Sequence, residues 1–200
     1  MQTIERDYIE KDRFNFEDIW KEFEKLYEDK ELPPLLSEDD VKTHLACLCL
    51  KKLKGSKFEV HTEAAINQSA TSFTESPLSK YVKSGMNMRI DLIILKDKED
   101  IDTAVEVKTV FKKDYQGTND IIFGINKDFN KNLNELWLSS CKLKEKGKAS
   151  TLVKCYFCFV NEYKYGWSKK MKEVKEKLEK LEKDYPHIKI KSIPRNSKNL

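Results

Sequence analysis

Two apolar segments flanking a charged link constrain this chain more than anything else in it. Arg89-Ile90-Asp91-Leu92-Ile93-Ile94-Leu95 and Asp102-Thr103-Ala104-Val105-Glu106-Val107-Lys108-Thr109 are rich in β-branched and aliphatic residues, and the six residues from Lys96 to Ile101 are almost all charged. That composition predicts two antiparallel strands joined by a solvated turn. A turn centred between Lys98 and Glu99 sets Asp91 opposite Glu106 and Arg89 opposite Lys108. Opposed residues share a face, with Cβ atoms roughly 5 Å apart. Glu106 and Lys108 also share a face, because strand side chains alternate with period two. One face of an otherwise apolar hairpin then carries Asp91, Glu106 and Lys108.

Two close carboxylates repel, and burying them costs several kcal/mol each unless something compensates. A divalent cation does so, and hard oxygen ligands suit Mg²⁺, with Mn²⁺ as a substitute. A lysine beside such an ion can orient or activate a water, or offset charge at a phosphate. The combination suits metal-assisted phosphodiester hydrolysis. The plainer alternative is an exposed hairpin with an ordinary ion pair.

An Asp followed by Glu-x-Lys on the next strand resembles the PD-(D/E)XK nuclease superfamily, the restriction-endonuclease-like proteins. Here the residues are Asp91 and Glu106-Val107-Lys108, with Ile90 where the family motif has proline. The string alone carries nothing, since Glu28-Asp29-Lys30, Glu162-Tyr163-Lys164 and Glu173-Val174-Lys175 match it too. Its placement in a strand-turn-strand unit carries the weight. The resemblance implies a mixed sheet flanked by helices, and a Mg²⁺-dependent endonuclease acting on DNA in a restriction or defence role. Asp91 and Glu106 would hold the ion, and Lys108 would position or activate the water. The family often adds a glutamate from its first core helix. Glu38 matches that position, although an acid in the first turn after Ser37 is also what helix capping selects. Glu63, on the polar face of the neighbouring strand, is the rival ligand. A homodimer would supply two such sites for two DNA strands. A catalytically silent nucleic-acid-binding module of the same fold is the alternative function.

The 200 residues suggest a single nuclease-like domain, 37–200, behind an N-terminal helical extension, 1–36. The chain is 39% hydrophobic and 36% charged, enough for a core under a highly charged surface. A net charge of +4 permits nucleic-acid binding without demanding it. No apolar run is long enough to span a bilayer, and no signal-peptide core opens the chain. Five cysteines without a secretory signal read as reduced thiols in a cytoplasmic protein.

Helical spacing over Asn15–Lys30 predicts a first helix capped by Asn15. Ser37, followed by Glu38, Asp39 and Asp40, opens a second, which Gly55 closes. Phe58–Ile66 reads as a strand with Phe58, Val60, Thr62, Ala64 and Ile66 on one face and Glu59, His61 and Glu63 on the other. The polar stretch 67–88 is long for a loop and reads as functional. Its Lys80 and Lys83, with Lys112 and Lys113, are candidate contacts to a phosphate backbone. Asp128 or Asn130 opens a helix ending at Gly147, and Thr151–Val160 is a strand covered on both faces. A Lys/Glu-rich helix over Ser168–Tyr185 and a strand over His187–Ile193 complete the order αβββαβ, with an added αβ and an N-terminal helix. Cys155 and Cys158, three apart on a strand, face opposite sides and read as buried thiols, not a zinc half-site. His44, His61 and His187 are scattered, and only His61 has a place beside the acidic face.

Overall fold

Five strands form one mixed sheet, and helices cover both of its faces. The computed structural model describes residues 14–33, 35, 37–67, 77–81, 87–111, 117–162 and 171–193. In chain order the elements are α1 (Phe16–Glu28), α2 (Glu38–Leu53), β1 (Phe58–Asn67), a 3₁₀ turn (Pro77–Tyr81), β2 (Asn87–Lys96) and β3 (Asp100–Phe111). Then follow α3 (Thr118–Lys127), a π-helical segment (Asp128–Asn134), α4 (Glu135–Glu145), β4 (Lys154–Glu162), α5 (Lys172–Asp184) and β5 (Ile188–Ile193). The strands lie in the order β1-β2-β3-β4-β5. The first three pair antiparallel, and β3, β4 and β5 pair parallel. The long helical run between β3 and β4 is the crossover that a parallel pair requires. The α/β class and the mixed sheet between helices agree with the expectation from sequence.

Each sheet face has its own apolar core. On one face, α1 and α2 pack against Leu92, Ile94, Val105, Val107 and Tyr156. On the other, α3, the π segment, α4 and α5 pack against Ile93, Ala104, Cys155, Phe157 and Phe159. Strand β4 is buried from Cys155 to Asn161, because it is central and covered on both sides. Cys155 and Cys158 fall into opposite cores, and both thiols are free. Asn15 caps α1 by accepting from the Glu17 N–H at 3.2 Å. The helix inserts Phe16, Ile19, Trp20 and Phe23 into the same core as α2. The described part of the N-terminal extension is therefore one layer of the molecule.

Three local details differ from the expectation. The hairpin link is shorter than six residues: β2 runs to Lys96, β3 starts at Asp100, and Asp97 and Lys98 make the turn at φ 53° and 63°. A bulge between Ile94 and Leu95 then leaves Asp102 without an opposite residue, so the register beyond it is Ile94↔Thr103, Ile93↔Ala104 and Leu92↔Val105. The one-residue bulge offsets the displaced turn centre, and the register extrapolates to Asp91 opposite Glu106. The regular alternation expected of β1 also breaks. Phe58 and Val60 pack in the α1/α2 core but Ala64 in the other, because Glu63 at φ 52° interrupts the ladder between Thr62↔Leu92 and Ala64↔Ile90. Finally, the helix expected to open at Asp128 or Asn130 begins at Thr118 and passes through a π-helical stretch at Asp128–Asn134.

Candidate functional site

The β2/β3 ladder runs from Lys96↔Asp100 to Leu92↔Val105. Beyond that point β2 stays with β1 as far as Asn87, and β3 stays with β4 as far as Phe111. A wedge opens between the strands at Asp91 and Glu106, and it leaves backbone groups in need of partners. Side chains supply them. Asp91 Oδ2 accepts from the Val107 N–H at 2.8 Å, and Glu38 Oε2 accepts from the Thr109 N–H at 3.3 Å. Asn132 Nδ2 donates to the Arg89 carbonyl at 3.1 Å and to Glu106 Oε1 at 2.7 Å. Carboxylates thus replace the missing ladder along one edge of β3, and Lys108 lies between the two positions they occupy. The splay also undoes the expected pairing of Arg89 with Lys108, since Arg89 turns to Glu63 instead.

Asp91 and Glu106 come together across the hairpin, Glu38 and Glu63 join Asp91 through Lys42, and Lys108 reaches the cluster through Glu38. Glu38 is free to do so because other residues cap its helix. Ser37 Oγ accepts from the Asp40 N–H at 3.2 Å, and Asp40 Oδ2 accepts from the Ser37 N–H at 2.8 Å. Glu38 then lies 3.5 Å from Lys108 Nζ. Glu63 reaches the cluster through its left-handed backbone, a conformation that costs a non-glycine residue on the order of 1 kcal/mol.

The sequence does not mark Lys42, Asp128, Asn132 or Gly124 as site residues, yet all four are present. Lys42 Nζ lies 2.7 Å from Glu63, 2.9 Å from Asp91 and 3.4 Å from Glu38. Its position four after Glu38, on the same helix face, is the one signal available beforehand. Asp128 and Asn132 come from the π-helical segment, a feature common at functional sites. Gly124 lets α3 approach closely: a Cβ there would stand 3.3 Å from Lys108 Cε.

The site is electrostatically uneven. Glu106 is 3% exposed. Burial, then the charge of Asp91 and its hydrogen bond, then the charge of Asp128, raise the Glu106 pKa well above the ordinary value, against the Asn132 bond. Burial also lifts Asp128 to about 6, with Asp91 and Glu38 adding to the shift and Lys108 opposing it. Burial would lower Lys42, but its bonds to Glu63 and Asp91 and the charges of Asp91 and Glu38 outweigh that and raise it. Among the described residues, no three His, Cys, Asp or Glu side chains stand grouped as ready ligands for a metal ion. The donor chemistry of Asp91 and Glu106 still fits a hard cation. They are oxygen ligands of the kind Mg²⁺ takes in ones and twos with water. Glu106, short of compensating positive charge, is where such an ion would be stabilised most.

Other expected members do not join. Lys80 sits at the turn end of the hairpin, 2.6 Å from Asp100. Six residues of strand, about 20 Å, separate Asp100 from Glu106. Lys80 is thus a structural clamp, not a neighbour of the site. Lys83, Lys112 and Lys113 lie outside the described residues. His61 contacts Glu59 at 3.5 Å. His187 stacks on Trp137 with ring centroids 3.9 Å apart.

Fold and site define an α/β protein with a carboxylate–lysine cluster where the two antiparallel strands of its central hairpin part. Compared with models of protein families, with curated proteins and with solved structures, the chain gives no match in any of the three. Among the described residues no helix is long and apolar enough to cross a membrane.

Proposed function

We propose that this chain is a divalent-metal-dependent endonuclease of the PD-(D/E)XK type, hydrolysing DNA phosphodiester bonds in a restriction or defence role. One observation carries the reading: buried Glu106, its pKa raised, lies against Asp91 where two strands part, and Glu38 links Lys108 to the same cluster. The succession α2, β1, β2, β3, a helical run and β4 supports a restriction-endonuclease-like core, because it is the element order of that superfamily. Asp91 and Glu106 would hold Mg²⁺ or Mn²⁺. When bound, the ion supplies a polarised phosphate and a water of lowered pKa. The ammonium of Lys108 orients that water or donates to a phosphate oxygen, offsetting the charge that builds there. Glu38 and Asp91 fix the edge of β3 that presents Lys108. Lys83, Lys112 and Lys113 would hold the DNA backbone, and a homodimer would bring a second site to the other strand.

A second reading, a catalytically silent nucleic-acid-binding module, is favoured by Lys42, which offsets part of the carboxylate charge without any metal. Cleavage of circular, linear, branched and single-stranded DNA with Mg²⁺ or Mn²⁺ separates the two. The nuclease reading expects cutting by the parent, and none by folded Asp91→Ala or Glu106→Ala, each of which also loses Mn²⁺ binding in calorimetry. Lys108→Ala is expected to lose cutting and keep Mn²⁺ affinity, since an ammonium cannot ligate a cation. Salt-sensitive DNA binding without cutting by the parent would establish the silent module.

A further inference from the structure

Positive charge is distributed very unevenly over Glu38, Glu63, Asp91 and Glu106. Glu63 receives Lys42 on one oxygen and Arg89 on the other. Glu38 receives Lys42 on Oε1, and Lys108 with the Thr109 N–H on Oε2. Asp91 receives Lys42 on Oδ1 and the Val107 N–H on Oδ2. Lys42 is the hub of this half. Its side chain is only 11% exposed, and besides these three acids it lies 3.4 Å from Asp39, which is 84% exposed and solvated by water. An ammonium has three N–H donors, so Glu63, Asp91 and one further acid saturate it. Glu106 is the contrast: among the described residues no lysine or arginine pairs with it, and its partners are the Asn132 amide and Asp91.

We propose that Lys42 is a built-in cation that fills the Glu38/Glu63 half of the cluster, so that the site takes one divalent ion, on the Glu106 side of Asp91, and not two. The proposal rests on the reading of Asp91 and Glu106 as cation ligands. A buried ammonium held by three carboxylates occupies the space that a second ion would need, and its charge removes the electrostatic reason for one. An ion beside Glu106 leaves Lys42 in place and shares the Asp91 carboxylate with it. Lys42 is thereby a positioning residue: it holds Asp91, and through Glu38 it holds the edge of β3 that carries Lys108.

Ion counting on the full chain tests this. Free Mn²⁺ is followed by electron paramagnetic resonance during titration of the parent, Lys42→Met, Lys42→Arg and Glu106→Gln, with melting temperatures taken with and without Mn²⁺. The expected counts are one ion for the parent, two for Lys42→Met, one for Lys42→Arg and none for Glu106→Gln. Without metal, Lys42→Met is expected to melt below the parent, and Mn²⁺ is expected to raise its melting temperature more than the parent's. No ion in the parent with one in Lys42→Met would sustain the role of Lys42 and overturn the catalytic-metal reading. One ion in both, at equal affinity, would overturn the role of Lys42 and leave the metal reading standing. Two ions in the parent, or none in either protein, would also overturn it. If Lys42→Met does not fold, the Lys42 ammonium ¹⁵N resonance of the parent decides. It is expected to keep its protected position when Mg²⁺ is added, and release to solvent on Mg²⁺ binding would overturn the proposal.

Discussion

At the scale of single residues, Glu106 holds the clearest tension between stability and activity. Its folded pKa is raised, chiefly by burial and then by Asp91. Above the ordinary carboxyl value of 4.5, the unfolded chain has released this proton while the folded chain still binds it. Metal-free stability therefore falls as pH rises, from 4.5 up to the folded pKa of Glu106. Glu106→Gln removes that titration and keeps a donor and an acceptor at the same place. It is expected to raise the metal-free melting temperature at neutral pH by a few degrees, on the order of what 1 kcal/mol does in a domain of this size, while abolishing Mn²⁺ binding. A lower melting temperature would contradict the assigned strain. An ion bound as proposed would displace the Glu106 proton, so apparent Mn²⁺ affinity is expected to rise with pH through the same window. Calorimetry in buffers of different ionisation enthalpy would count the proton released.

At the scale of elements, two helices are predicted to show separable roles for residues of similar type. In α2 the capping box belongs to Asp40 and the site contact to Glu38. Asp40→Ala is expected to cost about 1 kcal/mol of stability, as loss of half a capping box does. Glu38→Gln is expected to lower the cleavage rate well beyond its effect on stability, and equal rates for parent and mutant would return Glu38 to a capping role. In α3, Gly124→Ala gains up to about 1 kcal/mol of helix propensity, but the new Cβ presses on Lys108 Cε at 3.3 Å. Unchanged or improved melting with a rate about tenfold lower is the expected outcome, since small misplacements of the proposed catalytic group would be costly. An unchanged rate would show that Lys108 yields freely.

For the whole molecule, Asp100 ties together parts far apart in sequence. It accepts from Lys80 at 2.6 Å and from the Ser150 N–H and hydroxyl at 3.0 and 2.6 Å, joining the 3₁₀ turn and the approach to β4 to the start of β3. Burial works against its ionisation, but these bonds outweigh that and bring its pKa down to about 2 from 3.8. A depressed carboxyl stabilises above its unfolded pKa, so this contribution is intact above pH 3.8 and is lost as pH falls through about 2. Asp100→Asn is expected to cost on the order of 2 kcal/mol at pH 7, and parent and mutant should converge in stability across that acid window. Lys80→Ala is expected to lower stability in the same direction while leaving DNA affinity unchanged, because Lys80 sits at the turn end of the hairpin. A Lys80→Ala protein of parental stability with weakened DNA binding would restore Lys80 as a phosphate contact.

Local pattern alone determined the α/β class, the succession of strands with intervening helices, and the caps at Asn15 and Ser37, whereas the register of Asp91 with Glu106 needed the bulge at Ile94/Leu95 as well. Alternation and helical spacing are properties of neighbours in sequence, and they survive folding wherever one face is buried. Tertiary structure decided the rest. The parting of β2 from β3 depends on each strand keeping its outer partner, so no local pattern announces it. The switch of faces at Glu63 is a single left-handed residue, invisible to a period-two reading. Lys42, Asp128, Asn132 and Gly124 acquire their roles only where helices from both layers reach the same gap. The string Glu-x-Lys occurs at Glu28, Glu106, Glu162 and Glu173. At Glu106 the fold sets the glutamate against Asp91 in a wedge where carboxylates replace the missing ladder.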